Sequence, residues 1–136
     1  MAIDTFADTS GLYAVMASGD PAHPTAAEVL EQALRAERRL FTSDYVLDET
    51  ATLLSAHGLR ACVGTFLDTI FSSSAITVLW CDRERFHRAA KHFAKHNDKH
   101  WSFTDCLSFV LMEELGLHEA LTTDRHFKQA GFSILL

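Results

Sequence analysis

Four acidic residues, Asp8, Glu49, Asp105 and Asp124, each fall where an extended run gives way to a helical one, or just inside the helix. Asp8 follows Ile3 to Ala7, and Asp124 follows Glu119 to Thr123. Asp105 lies in the first turn of an apolar helix opened by Ser102, at the spacing of a capping box. Glu49 lies about a turn and a half inside a helix capped by Ser43 or Asp44. Carboxylates with no cysteine beside them are hard oxygen ligands, suited to Mg²⁺ or Mn²⁺ rather than zinc. An ion held this way polarises a phosphoryl oxygen and acidifies water. Singly, each acid has a structural use: Asp8, Asp105 and Asp124 as helix caps, Glu49 as the border of an apolar stripe. Gathered together, they repel one another and destabilise the fold unless a cation is present.

Whether they gather depends on the elements that carry them. The sequence predicts strands at Ile3 to Ala7, Leu40 to Ser43, Ala75 to Cys81, Glu119 to Thr123 and Phe132 to Leu135. Helices are expected from Ser10 to near Gly19, from Pro24 or Thr25 to about Arg39, and from Ser43 or Asp44 to His57, with Gly58 as the stop. Further helices run from Leu59 to about Ser72, from Asp82 to about Asn97, and from Ser102 to Leu115, with a short helical turn from Asp124 to Ala130. Strands alternating with helices imply an α/β fold with a mostly parallel sheet covered on both faces. In a βαβ unit the helix runs back against its strands, so its N-terminus lies at the strands' C-terminal edge. All four acids then meet at the edge where such sheets bind ligands.

The totals fit this picture. A chain of 136 residues with 48% hydrophobic and 22% charged residues is expected to form one domain, residues 1–136, around one core. No run is long and apolar enough to span a membrane, and the N-terminus lacks the pattern of a secretory signal. Three widely spaced cysteines, Cys62, Cys81 and Cys106, read as buried thiols of a reducing, cytoplasmic protein. A net charge of −6 argues against a surface that grips nucleic acid everywhere, but six of the twelve lysines and arginines lie between Arg83 and Lys99. In that helix Phe86, Ala89, Ala90, Phe93 and Ala94 form the expected inner stripe. Arg88, Lys91, His92 and Lys95 are expected on the outer sector, as candidate RNA-phosphate contacts or a plain solvated face. His92 and His96 have zinc-helix spacing but no third soft ligand, and His126 falls near Asp124. Trp80, Trp101, Phe66, Phe71, Phe86, Phe93, Phe103 and Phe109 are read as packing residues. No phosphate-binding loop or nucleophile elbow occurs.

Asp8-Thr9-Ser10, the segment Asp44 to Thr50 with Glu49, Ser102-Phe103-Thr104-Asp105, and Leu121 to Phe127 with Asp124 resemble, in order and spacing, the PIN-domain family and its small VapC-like toxins. The resemblance covers nearly the whole chain. It implies a three-layer α/β/α fold with a five-stranded parallel sheet of order 3-2-1-4-5. It also implies a Mg²⁺-dependent ribonuclease, with Mn²⁺ as an alternative ion, acting as the toxin of a type II toxin–antitoxin pair. Asp8 and Asp105 would hold the metal, Glu49 and Asp124 would complete the pocket, and Ser10 or Thr104 would orient water or a carboxylate. A cognate antitoxin and pairing with a second copy are implied as well. Some relatives carry another acid or amide where this chain has Thr122 and Thr123, which leaves Asp124 the least secure metal ligand of the four. Two other readings stay open: a metal-dependent DNA nuclease or phosphatase, and a non-catalytic module docking basic peptides through its acidic edge.

Overall fold

In the computed structural model, which describes residues 2–136, strands and helices alternate along the chain. The strands are β1 (Ile3–Ala7), β2 (Arg38–Ser43), β3 (Ile76–Leu79), β4 (Glu119–Leu121) and β5 (Ser133–Ile134). The α-helices are α1 (Thr9–Met16), α2 (His23–Leu34), α3 (Asp44–Ala56), α4 (Val63–Ser72), α5 (Arg83–Lys95), α6 (Phe103–Leu115) and α7 (Arg125–Gln129). All neighbouring strands pair in parallel, in the order β3-β2-β1-β4-β5. This is the three-layer α/β/α arrangement expected from the sequence. Strand order reverses direction beside β1, so the crevice between the C-terminal ends of β1 and β4 is the switch point of the sheet.

Burial explains the strongest elements. The α6 segment from Asp105 to Met112 is buried throughout, and Phe109 meets Phe127 edge-on with ring centroids 4.9 Å apart and Trp101 at 5.0 Å. Phe6, Phe109 and Phe127 are fully buried, each contributing on the order of 2–3 kcal/mol of apolar burial. The Trp101 indole N–H donates to Gln129 Oε1 at 3.0 Å, tying the start of α6 to the end of α7. Gly116 closes α6 in the left-handed conformation at φ 67°.

Several expectations need correction. The second helix does not run to Arg39; it ends at Leu34, and Arg38 and Arg39 belong to β2. Their charge is matched across the sheet: Arg38, buried, pairs with Glu119 and donates to Thr5, while Arg39 holds Asp4 at 2.7 and 2.9 Å. The segment from Leu59 begins as a 3-10 turn, Arg60–Cys62, before α4. Phe71, Trp80, Phe86 and Phe93 are not core residues; they are 55%, 57%, 44% and 45% exposed. Phe71 and Trp80 lie parallel to each other at 6.1 Å, while Phe86 and Phe93 lean on Phe103 at 5.0 and 5.8 Å. Phe66 and Phe109 are buried as expected.

The face of α5 also differs. Ala89 is its one fully buried residue, and the flank towards α6 carries Arg85, Arg88 and His92. Arg85 Nη2 holds Glu114 at 2.6 Å and Arg88 pairs with the same carboxylate. His92 stacks on Trp101 at 5.8 Å. The Glu114 carboxylate on α6 and the Trp101 indole just before it thus draw in side chains that periodicity alone places outside. Of the expected basic face, Lys91 and Lys95 remain exposed, whereas Arg88 and His92 are engaged internally. Among the described residues, no helix is long and apolar enough to cross a membrane.

Candidate active site

Asp8 stands immediately after β1, at the N-cap position of α1, and is 5% exposed. The register that sets Ala7 beside Leu121 carries Asp8 beside Thr122. The Asp8 N–H donates to Leu121 O at 3.1 Å, and the Thr122 hydroxyl donates to Asp8 Oδ2 at 2.9 Å. Thr122 Oγ1 also accepts the Asp124 N–H at 2.9 Å and lies 3.0 Å from Ser10 Oγ, which accepts the Thr123 N–H at 2.9 Å. One buried hydroxyl therefore sets the relative positions of Asp8, Ser10 and Asp124. Gly11 makes this closeness sterically feasible: a Cβ there would fall 2.0 Å from the Leu121 carbonyl oxygen.

Asp105 is presented by the start of α6. Ser102 Oγ accepts the Asp105 N–H at 3.0 Å, and Asp105 Oδ2 accepts the Ser102 N–H at 3.1 Å, completing the expected capping box. The same Oδ2 lies 3.0 Å from His126 Nδ1. Asp124 caps α7 by accepting the His126 N–H at 2.9 Å, and its Oδ1 lies 3.4 Å from His126 Nδ1. Glu49 accepts a hydrogen bond from Thr9 Oγ1 at 2.8 Å, which links α3 to the start of α1.

All four acids line one cleft of about 350 Å³, together with Thr9, Ser10, Leu53, His100, Ser102 and His126. No lysine or arginine lines it. Burial pushes the Asp8 carboxyl up to about 7; the Thr9 amide and Thr122 hydroxyl oppose the rise, and the negative Asp105 and Asp124 add to it. Burial likewise raises Asp105, against the Ser102 amide and His126, with Asp124 again adding to the rise. Within the cleft, Asp105, Asp124 and His126 each place one donor atom within 4.8 Å of the others; Asp8 is not part of that trio. Crowded acids held out of bulk water, with no lysine or arginine among the described residues that line the cleft, fit a divalent cation bound through oxygen.

The sequence therefore identified four acids that the fold brings together, and Ser10 beside them. Thr104 is half-buried and is not among the residues lining the cleft; its carbonyl accepts from Ser108. Thr122, Thr9 and His100 were missed. Thr122 becomes visible only once β1 and β4 are neighbours in known register. Thr9 becomes visible only when α3 is seen to pass the end of β1. His100, in the link between α5 and α6, is brought to the cleft by the tertiary fold.

A family model of the PIN domain matches residues 5–133. The chain is 32% identical over 128 residues to the 23S rRNA-specific endonuclease VapC20 of Mycobacterium tuberculosis, covering 93% of this chain and 94% of that protein. The crystal structure of that VapC20, described as a sarcin-ricin loop cleaving toxin, superposes with a TM-score of 0.83 at 28% identity, over 94% of this chain and 95% of that one. A VapC ribonuclease of Archaeoglobus fulgidus is 38% identical over 80 residues, 58% of this chain and 50% of that protein. A VapBC2 structure from Rickettsia felis, bound to a promoter DNA fragment, superposes with a TM-score of 0.70 at 12% identity, over 97% of each chain; that is a likeness of fold alone.

Proposed function

This chain belongs to the PIN-domain family, in its VapC-like toxin branch, and from that premise we propose that it is a divalent-metal-dependent endoribonuclease, the toxin of a toxin–antitoxin pair. The observation that carries the reading is the cleft: four acids from four distant segments converge in it, with no lysine or arginine among its described lining residues. Asp8 and Asp105 are the principal ligands, with Glu49 and Asp124 completing the acidic pocket. Mg²⁺, or Mn²⁺ in its place, would supply the positive charge that a phosphodiester needs and the acidity that turns water into a nucleophile.

The chain's own residues do the positioning. Thr122 fixes which way the Asp8 carboxylate points, and the Ser102 amide does the same for Asp105. Thr9 restrains Glu49 at the mouth. Ser10, bridging Thr122 and the Thr123 amide, is the hydroxyl placed to orient a water beside Asp8. Lys91 and Lys95, exposed on α5, are basic side chains available to RNA phosphates, which gives local attraction on a chain of net charge −6. The VapC20 likeness supports ribosomal RNA as the first substrate to test. An antitoxin that covers the cleft, pairing with a second copy and a cytoplasmic location belong to the same reading.

The test is purification with and without the neighbouring gene product, then RNA cleavage mapping with Mg²⁺, Mn²⁺ and chelator. Asp105→Asn should keep the fold and abolish metal-dependent cleavage. Undiminished cleavage by that variant, with metal bound as before, would sink the assignment.

A further inference from the structure

We propose that His126 supplies a ring nitrogen to the metal set, making the site a mixed nitrogen–oxygen centre that prefers Mn²⁺ to Mg²⁺. The inference rests on the metal-dependent nuclease reading above and refines which donors hold the ion.

The geometry is that of ligands, not only of a hydrogen bond. His126 Nδ1 lies 3.0 Å from Asp105 Oδ2 and 3.4 Å from Asp124 Oδ1. Adjacent donors around one octahedral ion, each about 2.1 Å from it, stand about 3 Å apart. Asp105, Asp124 and His126 each place one donor atom within 4.8 Å of the others, and Asp8 lines the same cleft, where its carboxylate completes the set. The imidazole is also held in place. Its backbone N–H is fixed on Asp124, and the next residue, Phe127, is fully buried against Phe6 and Phe109. The ring itself is half-buried and lines the cleft.

The chemistry follows from the donor. A ring nitrogen binds an ion through its lone pair, so Nδ1 would be the ligand atom and Nε2 would carry the ring proton. Mg²⁺ strongly prefers oxygen and retains its waters, whereas Mn²⁺, though also well served by oxygen, loses less than Mg²⁺ when one donor is an imidazole nitrogen. A nitrogen at this position therefore separates two ions that a purely carboxylate cleft treats more alike.

The test uses untagged full-length protein without RNA. Calorimetric titration with Mn²⁺ and with Mg²⁺ is done on wild type, His126→Asn, His100→Asn and Asp105→Asn. Pulsed electron paramagnetic resonance of the Mn²⁺-loaded forms reads nitrogen coupling directly. The expected result is a nitrogen coupling in wild type and in His100→Asn that disappears in His126→Asn. His126→Asn should weaken Mn²⁺ binding about tenfold or more and Mg²⁺ binding less than about threefold. Mn²⁺ bound to wild type with no nitrogen coupling, or a coupling lost in His100→Asn instead, overturns the inference and leaves the nuclease reading standing. Equal loss of both ions in His126→Asn without a change in coupling also overturns it, and makes His126 a positioning partner of Asp105. Divalent-ion binding that Asp105→Asn leaves untouched overturns the metal-site reading itself.

Discussion

Asp8→Asn is expected to make the ion-free protein more stable at pH 8 while removing its response to divalent ions. The Asp8 carboxyl is 5% exposed, with a folded pKa of about 7 against an ordinary value of 3.8, raised first by burial. Between those values the folded chain keeps a proton that the unfolded chain has lost. The contribution of this carboxyl to stability is therefore greatest below about pH 4, falls as pH rises towards 7, and levels off above it. At about 1.4 kcal/mol per pH unit, that interval amounts to about 4 kcal/mol for this carboxyl alone. Asparagine fills the same space and keeps an acceptor for the Thr122 hydroxyl, but it carries no charge to desolvate. In chelator at pH 8, Asp8→Asn should gain about 2–4 kcal/mol over wild type, and at pH 4 the two should agree within about 1 kcal/mol. Urea unfolding at both pH values, with chelator or with Mg²⁺, reads this directly. With Mg²⁺ at a hundred times its Kd, wild type should recover about 2.7 kcal/mol, and the variant far less. A variant less stable than wild type at pH 8 in chelator, or a wild-type stability flat from pH 4 to 7, would refute the reasoning.

Three further outcomes follow from named contacts. Thr122→Val keeps the shape but removes the donor to Asp8 and the acceptor for the Asp124 amide; unfolding should show a loss of about 1–3 kcal/mol, and RNA cleavage should fall with the fold intact. Gly11→Ala forces a Cβ against the Leu121 carbonyl, a backbone atom that cannot swing away, so the thermal midpoint should drop by ten degrees or more or folded protein should not accumulate. Lys91→Gln combined with Lys95→Gln, on the exposed side of α5, should weaken RNA binding and reduce the salt slope by about 1–2 without altering metal binding. An unchanged slope would remove α5 from the RNA path.

The acids were legible because each sits at a junction that is itself written locally: a strand ending, a capping residue, then an apolar helix. Ser102 and Asp105 show this best, since the capping box and the candidate ligand meet at Asp105. Strand order came from family resemblance, because alternation of elements leaves the order of a parallel sheet open. What stayed hidden was set by tertiary pairing. Arg38 reads as a helix end, yet Glu119 and Thr5 on two other segments make it a strand residue. Arg88 and His92 read as solvated, yet Glu114 on α6 and Trp101 just before it turn them inward and leave Phe86 and Phe93 partly exposed. Thr122 looks like a departure from the expected acid, whereas its hydroxyl is the joint that holds the cleft in register.

The Thr122–Asp8 hydrogen bond spans 114 residues of sequence. Synthesis proceeds from the N-terminus, so β1 and β2 can pair long before β4 exists. Until β4 docks, Asp8 lacks the Thr122 hydroxyl and its two acidic neighbours, and the cleft has one wall. The electrostatic burden of the site is thus assembled last, together with the contacts of longest sequence separation, which form slowly. A divalent ion that relieved this burden would act on late contacts. It would lengthen the lifetime of the folded chain by slowing unfolding and leave the rate of folding nearly unchanged.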